Sequence, residues 1–348
     1  MQNASDLHIT VGVPPMIRVN GELQAIKYDA ISPEDSAEMM LELLNEAQRI
    51  KLETMKYVGF SMTLPEIGRV RANIYHQRGF VEGCFRIVPL EVPRLEDLGL
   101  PDVVKDLCRK PRGLVLVTGP SGAGKTTTFN AMIDFINRER RVKIVTVEDP
   151  IEYIHGPKKG IVIQQEVGTD AVSFDEALHC ILRMDPNVIG VGELRSLETI
   201  QMAVTAAETG HLVIGTLHTQ DAPQTVERVI DVFPPHSHAQ IRMQVSLSLQ
   251  GVISQQLLPR VYKEGRVVAC EVLLGTQGVR NLIRENKIEQ LNTVIQTGGK
   301  QGMHTMDRSL RDLYEQGIIT YNTAISRAKH PREIMEKKGK RQDPEGDW

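Results

Sequence analysis

The octapeptide from Gly119 to Thr126, GPSGAGKT, restricts what this chain can fold into more than any other stretch. It matches the G-x-x-x-x-G-K-[ST] loop without a gap. Such a loop works as the turn between a buried strand and a helix. Its glycines let successive backbone N–H groups face one phosphate, and the helix adds its positive N-terminal end. Both flanks are present: Gly113 to Thr118 reads GLVLVT, and Phe129, Met132, Ile133 and Ile136 recur at i, i+3, i+4, i+7. The expected phosphate-binding residues are Gly119, Pro120, Ser121, Gly122, Ala123, Gly124, Lys125, Thr126 and Thr127. Lys125 would reach the β- and γ-phosphates of a nucleotide such as ATP, and the Thr126 hydroxyl would bind its Mg²⁺.

The same rhythm continues downstream. Short apolar runs, Lys143 to Glu148, Val188 to Glu193 and Leu212 to His218, are separated by helical patterns. One helix carries Phe174, Ala177, Leu178 and Ile181 behind a Ser173/Glu176 capping box, and another runs from about Ser196 to Gly210. Strands alternating with amphipathic helices predict a parallel sheet covered on both faces. Each of these three runs ends in a residue able to do chemistry: Glu148, Glu193, His218. Ligands of open α/β sheets bind beyond the carboxyl ends of the strands, so the three should converge on the glycine loop. Glu193 occupies the place of an acid that orients Mg²⁺ through water. Glu148, Asp149 and Glu152 offer further carboxylates, one of which could position an attacking water. His218 suits a γ-phosphate contact. His211, at the other end of its strand, cannot share a metal with it and is expected to order an interface.

Residues 1–90 read as strands with one clear helix, which starts at Ser32-Pro33-Glu34-Asp35 and carries Ala37, Met40, Leu41 and Leu44 on one face. Arg69 to Tyr75 and Gly83 to Val88 alternate as strands. Pro89 and Pro93 punctuate the next stretch. The expected organisation is a first domain over 1–95, a linker over 96–108, a second domain over 109–330 that turns helical beyond 260, and a disordered charged tail over 331–348.

Composition excludes other classes. A net charge of −3 and 4% aromatic residues are poor material for gripping or stacking on nucleic acid. No apolar run approaches the roughly 20 residues that span a bilayer, and Met1 to Thr10 lacks a signal-peptide pattern. Cys84, Cys108, Cys180 and Cys270 form no C-x-x-C pair, which fits a reduced cytosolic compartment, each thiol being expected as a small buried apolar group.

Several segments together resemble the type II secretion and type IV pilus ATPases. Glu148-DPIEY resembles the Asp box, the DPNVIGVGELR segment from Asp185 to Arg195 the Walker B region, and the AAETGH and GTLHT segments from Ala206 to Thr219 the His box. Ser5-Asp6-Leu7-His8, with Gly12, Pro14, Pro15, Arg18 and Gly21, is similar to that family's first domain. Val279-Arg-Asn-Leu-Ile-Arg-Glu285 and the segment from Gln296 to Asp307 resemble pilus retraction motors of the PilT type. The resemblance implies a PAS-like α+β N-terminal domain followed by a RecA-like P-loop NTPase domain with C-terminal helices. It also implies a cytoplasmic homo-hexamer that hydrolyses ATP with Mg²⁺ to drive pilin depolymerisation and twitching motility. The motor would act against an inner-membrane pilus platform protein, touch the membrane only through partners and bind no nucleic acid. Glu148 would be the catalytic glutamate and Glu193 the Walker B acid. Arginines of a neighbouring chain, carried over to Arg71 and Arg86 and less directly to Arg69, would complete the site.

The sequence departs from the family pattern at four places. The helix that usually precedes Ser5 is missing, Gln165 stands where Arg is usual, Gly190 where an aliphatic residue is usual, and Ser196 where Asp is usual. Two other readings share the core: a pilus-assembly or type II secretion ATPase, expected to carry an added N-terminal domain and a cysteine-rich zinc motif, and a RecA-like nucleic-acid translocase, expected to respond to DNA or RNA. A regulatory subunit that barely hydrolyses ATP is a third.

Overall fold

Gly113–Thr118 is buried at every position, and the larger of two sheets is ordered around it. The computed structural model describes residues 4–19, 22–64, 68–88, 91–262 and 265–335; Gly21 and Pro89 lie outside them. The chain divides into two compact units, Met1–Glu91 with Pro150–Ile154, and Val92–Asp149 with His155–Trp348.

The first unit is an antiparallel sheet with two helices. Its strands are β1 (Ala4–Ile9), β2 (Met16–Val19), β3 (Glu22–Ala25), β4 (Tyr57–Leu64), β5 (Gly68–Gln77) and β6 (Phe80–Val88), in the order β3-β2-β1-β6-β5-β4. Period-two patterning sets the faces: Val70, Ala72 and Ile74 of β5 are buried, while Arg69, Arg71 and Asn73 are only half-buried. Helix α1 (Pro33–Glu42) begins where expected, its Ser32 cap accepting from the Asp35 N–H. A second helix, α2 (Glu46–Met55), was not expected from periodicity. It is defined by an Asn45/Gln48 capping box, and its face buries little beyond Leu52. Met40, Leu52, Ile74 and Phe85 centre this unit's core.

The second unit is the expected RecA-like layer structure. Strands β7 (Gly113–Thr118), β8 (Lys143–Glu148), β9 (Ile161–Glu166), β10 (Val188–Val191), β11 (Leu212–Leu217), β12 (Leu249–Pro259) and β13 (Arg266–Leu274) lie in the order β13-β12-β7-β11-β10-β8-β9. All neighbours are parallel except β12 and β13, which form an antiparallel pair at one edge. β13 corrects the expectation that the chain turns helical beyond 260. Its side chains are buried almost continuously, so no alternation marks it as sheet. Helices α3 (Val103–Cys108) and α4 (Lys125–Glu139) pack with Val115 and Val117 on one face of β7. Leu114 and Leu116 face the other way, into the cluster built with α5 (Phe174–Ile181), α6 (Leu197–Glu208), α7 (Ala222–Asp231) and α8 (His238–Ser248). Within the stretch expected as a linker, Val104, Leu107 and Cys108 are buried in this core, as is Leu95 just before it.

The chain continues through α9 (Gln277–Arg284), α10 (Leu291–Thr297), α11 (Met306–Glu315), α12 (Tyr321–Arg327) and α13 (Arg332–Met335). Ile334 of α13 is buried, so the expected tail starts in helix; residues 336–348 lie outside those described. In α9, Val279 and Ile283 are buried, and the Arg280 guanidinium donates to the Ser246 and Leu249 carbonyls, satisfying the C-terminal end of α8. Among the described residues no helix is long and apolar enough to cross a membrane. Cys108 and Cys270 are buried thiols as expected, but Cys84 is half-buried and Cys180 exposed.

Gly190 has a packing reason. A Cβ there would lie 2.8 Å from Phe129 Cζ and 2.8 Å from Thr146 Cγ2, so the aromatic ring of α4 occupies the space an aliphatic side chain would take. Gly190→Ala is expected to cost about 1–3 kcal/mol through overpacking, seen as a lower urea midpoint. Adding Phe129→Leu should recover most of the loss. An unchanged midpoint for the single variant would show that the ring yields freely.

Candidate nucleotide-binding and hydrolytic site

The glycine loop is shaped by the strand beside it. Gly119 has φ +144°, and a Cβ there would stand 2.3 Å from the Gln255 carbonyl of β12, so only glycine fits. Gln255 Nε2 donates to the Ala123 carbonyl at 2.7 Å and pins the loop from the same side. Pro120, Ser121 and Gly122 form the exposed tip, Ala123 is buried, and Gly124 enters α4 with φ +84°. Thr126 and Thr127 stand in the first helical turn, whose backbone N–H groups have no carbonyl partner within the helix and suit an anion.

Strand order brings three of the expected residues into one string. Lys125 is nearly buried, and its Nζ donates to the Gly119 and Pro120 carbonyls at 2.9 and 3.1 Å and to His218 Nδ1 at 3.2 Å. His218 Nε2 in turn lies 3.1 Å from Glu193 Oε1. An ammonium on one ring nitrogen and a carboxylate on the other select the tautomer protonated at Nε2. Arg195 grips Glu193 through both oxygens, Nε and Nη2 each at 2.6 Å. Burial pushes the Glu193 carboxyl up, but Arg195, His218 and Lys125 together hold it below its ordinary value. Burial pulls the Lys125 ammonium down, with Glu193 opposing.

Glu148 has a separate set of partners. It ends β8 and is only 1% exposed. Its Oε1 accepts from Thr146 Oγ1 at 2.7 Å and from Gln164 Nε2 at 3.1 Å. Burial raises this carboxyl above the usual range, and the hydrogen bonds from Thr146, Gln164 and Asn130 pull the other way. The Gly192 N–H donates to the Val147 carbonyl at 2.8 Å, which sets Glu148 against the turn leading to Glu193.

Arg71 and Arg86 belong to the first unit, where they are register partners on β5 and β6. Arg86 Nε meets Asp6 at 2.8 Å with 65% of the side chain still exposed, and Arg69 Nε donates to the Ile151 carbonyl at 3.0 Å. Glu152, in the same unit, has its carboxyl raised by burial, with Arg71 and Arg86 opposing. The His211 ring is engaged within its own chain, Nδ1 lying 3.0 Å from the Ala206 carbonyl near the end of α6.

Sequence reasoning missed Arg195 as the clamp on Glu193, and it missed the amides around Glu148. Asn130 carried a usable signal: it follows Thr126 by four residues and so shares its face of α4. Of the departures here, Ser196 finds a physical account. Ser196 caps α6 by accepting from the Thr199 N–H at 3.0 Å and donates to Asp175 at 3.1 Å, so the hydroxyl serves as an N-cap in place of the usual acid. Gln165 leaves its amide oxygen buried with no hydrogen-bond partner among the described residues. The Thr126 hydroxyl and Glu193 carboxylate are hard oxygen donors, chemistry that fits Mg²⁺ shared with phosphate and water.

Residues 94–341 match the family model described as type II/IV secretion system protein. The chain is 46% identical over 330 residues to the type IV pilus retractation ATPase PilT of Pseudomonas aeruginosa, covering 95% of this chain and 96% of that one. It is 46% identical over 316 residues to a twitching motility protein of Neisseria gonorrhoeae, covering 91% and 84% of the two chains. The crystal structure of the pilus retraction motor PilT with bound ADP superposes with a TM-score of 0.91, at 46% identity and 96% coverage of both chains. The chain belongs to the type II/IV secretion system protein family.

Proposed function

We propose that this chain is the ATP-hydrolysing subunit of a cytoplasmic motor that powers type IV pilus retraction. The observation that carries the reading is end-to-end similarity to a retraction ATPase, at 46% identity over 95% of the chain. The Lys125–His218–Glu193 string beside the glycine loop supports it.

ATP enters with its phosphates against the loop N–H groups of Gly119 to Thr127, and Lys125 exchanges loop carbonyls for the β- and γ-phosphate oxygens. Thr126 and Glu193 would hold Mg²⁺, partly through water, and the ion would supply neutralisation of charge on the phosphate oxygens. Glu148 orients a water toward the γ-phosphorus and takes its proton; the β–γ bridging P–O bond breaks, and ADP and phosphate leave. His218 contacts the γ-phosphate and reports its loss to Glu193. Arg71 and Arg86 of a neighbouring chain supply the external positive charge that a loose phosphoryl-transfer transition state requires. Hydrolysis therefore belongs to an assembly, read as a homo-hexamer, and rigid-body shifts of its domains act on a platform protein in the inner membrane.

Glu193→Ala is expected to lower kcat for ATP by about 100-fold or more while ADP binding stays within a few-fold, because one preorganised transition-state group is lost. A variant with wild-type turnover would remove Glu193 from the mechanism. Turnover per chain across a dilution series, with mass measured in parallel, should appear with hexamer mass and ignore added DNA. Full activity from a stable monomer would contradict the shared site, and strong DNA stimulation would point to a translocase.

A further inference from the structure

We propose that His155 and Asn130 are positioning residues that aim the Glu148 carboxylate at the attacking water, His155 acting as a clamp on two amides at once. The proposal rests on reading Glu148 as the base.

Glu148 is flanked by the amides of Asn130, on α4, and Gln164, on β9. Gln164 Nε2 donates to Glu148 Oε1 at 3.1 Å, and the Asn130 amide beside it helps hold the carboxyl down against burial. Asn130 Nδ2 also donates to the Thr126 carbonyl at 3.0 Å, which joins this amide to the residue read as a Mg²⁺ ligand. Either amide could in principle rotate by half a turn and present its oxygen to the carboxylate, exchanging a donor for a repelling acceptor. His155 blocks both rotations. Its ring Nε2 lies 2.8 Å from Asn130 Oδ1, and its backbone N–H donates to Gln164 Oε1 at 2.9 Å. With both oxygens taken by His155, the Gln164 NH₂ is turned to Glu148 and the Asn130 NH₂ to the Thr126 carbonyl on the Glu148 side of the site.

The imidazole is itself held. Its side chain is fully buried, and Nδ1 lies 3.9 Å from Asp134 Oδ1 with no hydrogen-bond partner among the described residues. Asp134 is fixed in turn by Arg138 at 2.9 Å and Lys158 at 2.5 Å. A buried carboxylate needs its charged form supported by donors of defined direction. The clamp supplies that direction from three separate segments, α4, the loop after β8, and β9. Nothing in this set binds substrate, so the residues act through Glu148.

The test compares steady-state ATP kinetics and ADP affinity for His155→Leu, His155→Gln, Asn130→Leu and their double variant, in the assembled full-length protein. His155→Leu removes the ring donor; His155→Gln returns an amide N–H to the same region. His155→Leu is expected to lower kcat about 10- to 100-fold, the range for a small misplacement of a catalytic group, with KM and ADP affinity within twofold. His155→Gln should recover most of kcat, and the double variant should be no worse than Asn130→Leu alone. Wild-type kcat in His155→Leu, equal loss in His155→Gln, or additive losses in the double variant would overturn the clamp. If Asn130→Leu does not fold, the Leu/Gln pair at position 155 decides alone. Glu148→Gln separates the two claims. If it keeps wild-type turnover, the base assignment falls and the clamp with it. If it is inactive while His155→Leu is normal, only the clamp falls.

Discussion

Everything at the site depends on β7, β11, β10 and β8 being neighbours in parallel register. Thr118 pairs with Leu217, and Gly215 with Val191, which pairs with Val147, so the carboxyl ends of four strands stand nearly level. Lys125, His218 and Glu193 can then touch in sequence although they come from three widely separated segments. The register is held by fully buried apolar strands whose backbone groups have no alternative to the ladder. A slip of one residue would turn Val115 and Val117 out of the α4 face and carry the loop away from its partners. The chemistry is thus a consequence of core packing, and the small fit of Phe129 over Gly190 is one of the contacts that keep it so.

How legible this was in the sequence followed the range of the interactions. The glycine loop, the strand-end acids and the α1 cap are encoded within a few residues, and each lies where the pattern placed it. The resemblance gave the architecture of both units. The β12–β13 pair was lost because continuous burial erases the alternation that identifies a strand. The stretch over 96–108 read as a linker because Pro89 and Pro93 punctuate the chain just before it, yet Val104 and Leu107 pack into the core. The clamp behind Glu148 lay furthest from view. Asn130, His155 and Gln164 are ordinary residues in isolation, and only folding gives two amides and an imidazole a common purpose.

The segment after Glu148 crosses from one compact unit to the other. Glu148 and Asp149 belong to the second unit, whereas Pro150–Ile154 fold with the first, and Ile151 receives the Arg69 guanidinium there. The unit that carries Arg71 and Arg86 thus also holds a stretch that begins two residues after Glu148 in the sequence. Meanwhile Arg195 is committed to both oxygens of Glu193. The cations proposed for the transition state are therefore Arg71 and Arg86 of a neighbouring chain, and under that proposal hydrolysis needs an assembly.

Mixing two inactive proteins tests that claim most directly. Lys125→Ala keeps Arg71 and Arg86 but has a disabled loop, while an Arg71→Ala/Arg86→Ala double variant keeps the loop but lacks the arginines. Each alone should turn over ATP poorly. Co-assembled at equal ratio, they should regain a substantial fraction of wild-type turnover, because some interfaces then pair an intact loop with intact arginines. Mixed rings of full hexamer mass with no recovered turnover would contradict the shared site.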